Sequence, residues 1–117
     1  MSDGPNAIGI ASIEVTGLNQ VTVTHRVKAV ATAVVWLVHN STNSDVTVCV
    51  TNFRPKDSKE KGYFQATFLT PRDKCTENLR PDHTGVIAAQ FDGNSGQILL
   101  YDVTIDGVTA ADPELEI

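Results

Sequence analysis

The chain of 117 residues has the usual length of one domain, which predicts a single unit over residues 1–117. Its composition, 41% hydrophobic and 20% charged, argues against intrinsic disorder, and no apolar run reaches the ~20 residues that a membrane-spanning helix needs. The net charge of −5 argues against a nucleic-acid partner, because nucleic-acid binding depends on the neutralisation of phosphates.

Residues 1–7 are predicted to form a flexible lead-in. The first ten residues contain neither the basic region nor the apolar region of a signal peptide. This leaves two alternatives open, a cytosolic protein and a mature exported domain with a start methionine.

The first strands are predicted from the alternation of apolar and polar side chains. Residues 8–15 form a half-buried strand, and a turn at 17–20 leads to a second strand at 21–27. Residues 28–33 favour an extended chain, because the valine and threonine within them are β-branched.

The clearest signal is the stretch 34–53, which contains the only tryptophan, Trp36. Apolar residues on both faces of 34–39 indicate an interior strand, and six turn-forming residues follow at 40–45. In the return strand the valines are predicted to point inward and Cys49 outward. We therefore expect a β-hairpin at the centre of the fold, with Trp36 in the core.

Two loops divide the second half of the chain. Residues 54–62 form a charged loop, and residues 71–85 form the longest loop, whose ~15 residues are typical of a functional segment rather than a short connector. The remaining apolar patterns predict strands at 63–70, 86–91 and 99–105 and a short edge piece at 115–117.

This pattern gives seven or eight short strands separated by turns, with no clear helix. It predicts an all-β fold, an antiparallel Greek-key β-sandwich of the Ig-like type, with a closed barrel as the second choice.

Cys49 and Cys75 are the only cysteines. A disulfide between them would tie the 71–85 loop to the sheet and would stabilise the fold by about 3–4 kcal/mol. Two separate thiols are the alternative. If the disulfide forms, an extracytoplasmic or secreted location is favoured.

The sequence contains only weak indications of a metal site or of catalysis. The order His39, Cys75, His83 is similar to that of ligands in small copper proteins, but no methionine follows Met1 and the Cys–His spacing differs from a copper loop. Hydrolase and phosphate-binding motifs are absent from the sequence. We therefore predict no enzyme, no metal and no cofactor, with a small metal carrier or enzyme as the remote alternative.

Asn40, Ser41 and Thr42 form an N-glycosylation sequon. The same residue types are favoured in turns, and the turn role is the preferred interpretation.

Seven of the nine basic residues lie between positions 54 and 80. We predict a non-catalytic binding module that presents these residues to an acidic protein or an anionic glycan. The alternative is a structural or assembly subunit that pairs through sheet edges, including self-association into a homo-oligomer. The predicted binding residues are Arg54, Lys56, Lys59, Lys61, Arg72, Lys74 and Arg80.

The C-terminal run YDVTIDG at 101–107, followed by Asp112 and Pro113 before the last strand, resembles the closing strands of small bacterial β-sandwich domains of Ig-like or cupredoxin-like shape and uncharacterised function. The resemblance covers about a sixth of the chain. It implies a β-sandwich and transfers no catalytic residue.

Overall fold

The computed structural model describes residues 7–57 and 64–117, and over these residues the protein is all-β. Residues 1–6 of the predicted lead-in lie outside the described part, and Ala7 begins the first strand. Eleven strands are present, more than the seven or eight predicted, because several are only two to four residues long. They are β1 (Ala7–Ile8), β2 (Ile10–Gly17), β3 (Gln20–Val23), β4 (Arg26–Lys28), β5 (Ala33–Asn40), β6 (Val48–Pro55), β7 (Phe64–Thr70), β8 (Thr84–Gly93), β9 (Ile98–Ile105), β10 (Val108–Ala111) and β11 (Glu114–Glu116).

Five strands form one sheet in the order β3-β2-β5-β8-β7. The central strand β5 runs parallel to β2 and antiparallel to β8. Its residues Val34, Trp36 and Val38 are fully buried. The predicted interior position of this strand and the predicted core position of Trp36 are both confirmed.

The other six strands form a second sheet in the order β1-β4-β11-β9-β10, with β6 on the opposite side of β9. β4 runs parallel to both β1 and β11, whereas β9 is antiparallel to β6, β10 and β11. Both sheets are therefore mixed, and the prediction that the fold is antiparallel throughout is wrong.

The predicted hairpin at 34–53 is also wrong. β5 pairs with β2 and β8 in the five-stranded sheet, whereas β6 pairs with β9 in the six-stranded sheet. Residues 41–47 thus carry the chain from one sheet to the other. Turn-forming residues show that the chain reverses direction, but they do not show which strand it will pair with next. The inward direction of Val46, Val48 and Val50 is confirmed, since all three are buried.

Two other strand predictions need correction. The predicted strand at 21–27 is split, because β3 and β4 belong to different sheets. The C-terminal β11 is not an edge piece: it lies between β4 and β9, and Leu115 within it is fully buried. A three-residue strand can fill this interior position because β9 pairs with β11 along one half of its length and with β10 along the other.

Aromatic side chains from both sheets meet in the core. The indole N–H of Trp36 donates a hydrogen bond of 3.0 Å to the hydroxyl of Tyr101, joining β5 to β9. Phe53 stacks on Tyr101 with ring centroids 5.4 Å apart. A register shift in β6 at Asn52, which has a left-handed φ of 58°, turns Phe53 inward. Within the described residues, no helix has the length and apolar character needed to cross a membrane.

Candidate functional site

The predicted disulfide between Cys49 and Cys75 is present. The two residues lie directly opposite each other, with Cα atoms 4.0 Å apart, where residues 74–79 run antiparallel beside β6. Backbone hydrogen bonds lie on both sides of the bridge, one of which runs from the N–H of Val50 to the carbonyl of Lys74. We call residues 71–83 the anchored segment.

The anchored segment covers the outer side of the first half of β6. Val46 and Leu79 exchange two backbone hydrogen bonds of 3.0 and 2.7 Å, and both side chains are buried. The hydroxyl of Thr76 accepts a hydrogen bond from the N–H of Val48. This part of the predicted 71–85 loop therefore packs as part of the fold.

Asn40 connects the anchored segment to the end of β5. Its side chain is fully buried, and the amide donates to the carbonyls of Ser44 and Leu79 at 2.7 and 2.8 Å. Its side-chain oxygen accepts from the N–H and the hydroxyl of Thr42. Both amide hydrogens are thus used inside the protein, which favours the turn role of this sequon in the folded chain.

The predicted basic residues do not form one cluster in the described structure. Arg54 donates to the Asp102 carboxylate at 3.0 Å, and the Lys56 ammonium lies 2.6 Å from the Glu114 carboxylate. Arg72, Lys74 and Arg80 are exposed on the anchored segment. Lys59 and Lys61 lie outside the described residues.

Arg54 and Lys56 are therefore held by the fold itself. Glu114 also accepts two hydrogen bonds from Arg26. Burial acts to raise the pKa of the Glu114 carboxyl, but the hydrogen bonds and charges of Lys56 and Arg26 outweigh it and hold the pKa below its usual range. Arg54 thus joins β6 to β9, and Arg26 and Lys56 both neutralise Glu114 of β11.

Lys74 has a different environment. Its ammonium lies 6.0 Å from the ring centroid of Phe68 in β7, at the outer limit of a cation–π contact. Among the described residues, Lys74 and Arg72 form no ion pair with a carboxylate. Their charges are thus available at the side of the protein where β7 ends.

The most unusual surface in the described structure is the outer edge of β7, which the sequence analysis did not single out. β7 pairs with β8 on one side, and on its other side no described residue is hydrogen-bonded to the backbone of Phe64, Ala66 or Phe68. Its seven residues include no charge, proline or glycine. We call this outer side the free edge.

The direction of the peptide groups in β7 follows from its neighbour. The N–H of Phe91 in β8 donates to the carbonyl of Thr32, 2.7 Å away, and so points toward β5. Because peptide groups alternate sides along an antiparallel strand, those of Gln90 point toward β7, where Gln90 is opposite Thr67. The peptide groups of Ala66, next to Thr67, therefore point outward along the free edge.

The other sheet edges in the described structure are short or partly covered. β1 has two residues, and β3 and β10 have four each. The first half of β6 is covered by the anchored segment. Natural proteins commonly protect their edge strands by shortening, covering or charging them. β7 has seven uncharged residues, and no residue of 7–57 or 64–117 is paired with its outer side at Ala66.

A second cluster lies on the outer face of the five-stranded sheet. His39 Nε2 lies 3.0 Å from Asp82 Oδ1 on the anchored segment, and His39 Nδ1 lies 3.3 Å from Glu14 Oε2 on β2. The hydroxyl of Ser41 donates to the same Glu14 oxygen at 2.7 Å. Hydrogen bonds from Asp82 and Glu14 raise the pKa of His39 above its usual value, which favours the imidazolium.

This cluster contains serine, histidine and carboxylates, and the Ser41 hydroxyl also lies 3.1 Å from His39 Nδ1. Glu14 competes with His39 for the Ser41 hydroxyl proton, because Ser41 donates to Glu14 Oε2 at 2.7 Å. The two carboxylates contact opposite ring nitrogens, so they do not converge on one point. The cluster instead joins β2, β5 and the anchored segment.

The sequence-ordered trio His39, Cys75 and His83 is not assembled as a copper site. Cys75 is in the disulfide, and His83 contacts the carbonyl of Pro81. Over residues 7–57 and 64–117, no group of three His, Cys, Asp or Glu side chains is arranged to hold a metal ion.

A cleft of about 350 Å³ lies between the turn at 16–18, residues 41–46 and residues 105–106. Several of its polar groups are already used: the Thr42 hydroxyl donates within the loop, and Asp106 accepts from the N–H of Thr47. The cleft is a weaker binding surface than the free edge for this reason.

Comparisons with known proteins add no family. No protein-family model matches the chain, and a search of curated proteins gave no match either.

Proposed function

We propose that this protein is a non-catalytic protein-interaction module that binds an extended segment of a partner as an added strand along the free edge of β7. The observation that carries the proposal is the row of outward peptide groups at Phe64, Ala66 and Phe68 of an uncharged edge strand, to which no other described residue is hydrogen-bonded. Peptide recognition by strand addition obtains its affinity from such groups.

Two of the predicted basic residues lie close to the free edge in this proposal. Arg72 and Lys74 follow β7 directly and carry the anionic preference that the sequence suggests. Arg54 and Lys56 support the fold instead, because their charges are matched by Asp102 and Glu114.

Self-association is the second candidate. The same edge could pair with β7 of another copy, and Leu69 at its end is 54% exposed. A homo-oligomer that depends on β7 would support this candidate over a foreign partner.

The finer fold and the location are also proposals. Two mixed sheets around one core are consistent with an Ig-like β-sandwich with Greek-key connections, the fold suggested by the C-terminal strands. The Cys49–Cys75 disulfide supports an extracytoplasmic or secreted protein, because disulfides persist in oxidising compartments.

The test uses matched lysine substitutions on the two edges of the five-stranded sheet. Thr67 in β7 and Thr22 in β3 are both exposed. Peptides of twelve residues are selected from a random library on the wild-type protein, and their affinities for Thr67→Lys and Thr22→Lys are compared. We expect Thr67→Lys to weaken binding at least tenfold, because edge lysines oppose strand pairing, and Thr22→Lys to leave it unchanged.

Hydrogen exchange of the complex locates the bound peptide. We expect new protection at the amides of Ala66 and Phe68. Equal affinity for the two variants, or protection confined to another surface, would overturn the proposal. Concentration-dependent dimers that Thr67→Lys abolishes, without peptide binding, would favour self-association.

A further inference from the structure

We infer that the segment bound at the free edge alternates apolar and polar residues and carries acidic residues at the end that lies beside Lys74. This inference rests on the proposed function and specifies the chemistry of the partner.

The expected alternation of apolar and polar residues in the bound segment follows from the two faces of β7. Phe64, Ala66 and Phe68 point toward the gap between the sheets and are only half-buried. Phe53 from the other sheet lies behind them, with its ring centroid 6.0 Å from that of Phe68. The aromatic core therefore reaches the free edge without being fully closed there.

An added strand would place every second side chain next to these residues, because side chains alternate faces along a strand. Apolar side chains at those positions would cover the exposed parts of Phe64 and Phe68 and gain from their burial. The intervening side chains would lie on the outer face beside Thr67, which is exposed, and polar residues suit that position.

The expectation of acidic residues at one end of the bound segment follows from the distribution of basic residues on this protein. Arg26, Lys28, Arg54 and Lys56 all form ion pairs within the fold. In the described part of the chain, Lys74 has no carboxylate partner although its ammonium lies over Phe68 at the edge itself. Because Cys75 is bonded to β6, the backbone beside Lys74 is held in place.

A carboxylate in the partner would therefore meet a positioned cation at this end of β7. Arg72 would strengthen the same preference, since it lies two residues before Lys74 and is exposed.

Three synthetic peptides test the inference by fluorescence anisotropy. The first alternates valine and threonine over six residues and ends in two aspartates. The second ends in two lysines, and the third has the residues of the first in an order that breaks the alternation. We expect the first to bind about fivefold or more tighter than the second, as for one or two exposed ion pairs, and tighter than the third.

Two variants with the same change in charge show where the preference arises. Lys74→Gln should reduce the advantage of the aspartate peptide severalfold, and added salt should have the same effect. Arg80→Gln removes a charge at the other end of the anchored segment and should leave the advantage unchanged.

The outcomes separate this inference from the proposed function. Equal binding of the aspartate and lysine peptides, or of the alternating and reordered peptides, overturns the partner chemistry while strand addition at β7 stands. If none of the three binds and library selection also gives no peptide that depends on Thr67, the proposed function fails.

Discussion

At the scale of single residues, the anchored segment is held by polar contacts at its C-terminal end. The side chain of Asp82 is 95% exposed and contacts His39, while its backbone N–H donates to the carbonyl of Asn40 in β5 at 2.7 Å. On the other side of the ring, Glu14 has a pKa below its usual value, first because of the Ser41 hydrogen bond and then because of His39. The His39 ring thus lies between two carboxylates, and both contacts favour its protonated form.

This arrangement predicts a pH-dependent contribution of His39 to stability. Its pKa in the folded protein is raised above 6.5, so the contribution is fully present below about pH 6.5 and is lost as the pH rises through the folded-state pKa. Urea unfolding between about pH 5.5 and about pH 8.5 should show wild-type stability falling toward high pH, and His39→Gln should flatten that decline. His83→Gln is the control and should show the same decline in stability toward high pH as the wild type. An equal slope in His39→Gln and wild type would contradict this assignment.

Residue-scale features were predictable where they depended on composition or alternation. The inward valines of β6, the core position of Trp36 and the pairing of Cys49 with Cys75 follow from the sequence and are confirmed. The His39 cluster was not predictable, because Glu14 and Asp82 come from an adjacent parallel strand and from the anchored segment.

At the scale of elements, the anchored segment acts as a cover for the edge of β6. Four backbone hydrogen bonds and one disulfide connect residues 74–79 to 46–50. Without this cover, the peptide groups on the outer side of the first half of β6 would lack their backbone hydrogen bonds to residues 74–79.

Removal of the disulfide should therefore loosen this cover. In Cys49→Ala/Cys75→Ala we expect a loss of about 3 kcal/mol in the free energy of unfolding, the value for a closed loop of this length. Native-state hydrogen exchange should show reduced protection at the amides of Val50 and Leu79, while Val35 in the central strand keeps most of its protection. An unchanged exchange rate at Val50 would show that the backbone hydrogen bonds suffice alone.

The errors in the predicted elements have a common physical origin. Turn residues at 40–45 correctly indicate a reversal, but the partner of each strand depends on which edges are already occupied, and both sides of β5 are taken by β2 and β8. A turn was also missed at Ala31 and Thr32, which have left-handed φ values of 50° and 64° although neither is glycine or asparagine. The free edge was overlooked because the sequence of β7 resembles that of an interior strand.

At the scale of the whole molecule, side chains in the core join the two sheets, and Gly9 adds backbone hydrogen bonds to Lys28 of β4 and Val35 of β5. The buried hydrogen bond from Trp36 to Tyr101 connects the central strand of one sheet with β9 of the other. Burial raises the pKa of the Tyr101 hydroxyl, so this group stays neutral over the working pH range. Among the described buried side-chain nitrogen and oxygen atoms, none lacks a hydrogen-bond partner.

The cost of breaking this cross-sheet bond is the last prediction. Tyr101→Phe keeps the ring packed against Trp36 and Phe53 but leaves the indole N–H without its acceptor in a dry core. We expect a loss of about 2 kcal/mol in the free energy of unfolding, since an unsatisfied buried donor costs ~1–3 kcal/mol. Urea titration followed by the fluorescence of Trp36, the only tryptophan, measures this loss of stability directly.

Tyr101→Leu also removes the aromatic ring. We expect it to lower the free energy of unfolding further, because the aromatic packing between the sheets is then lost as well. A phenylalanine variant within about 0.5 kcal/mol of wild type would mean that this hydrogen bond orients the indole but does not stabilise the fold measurably.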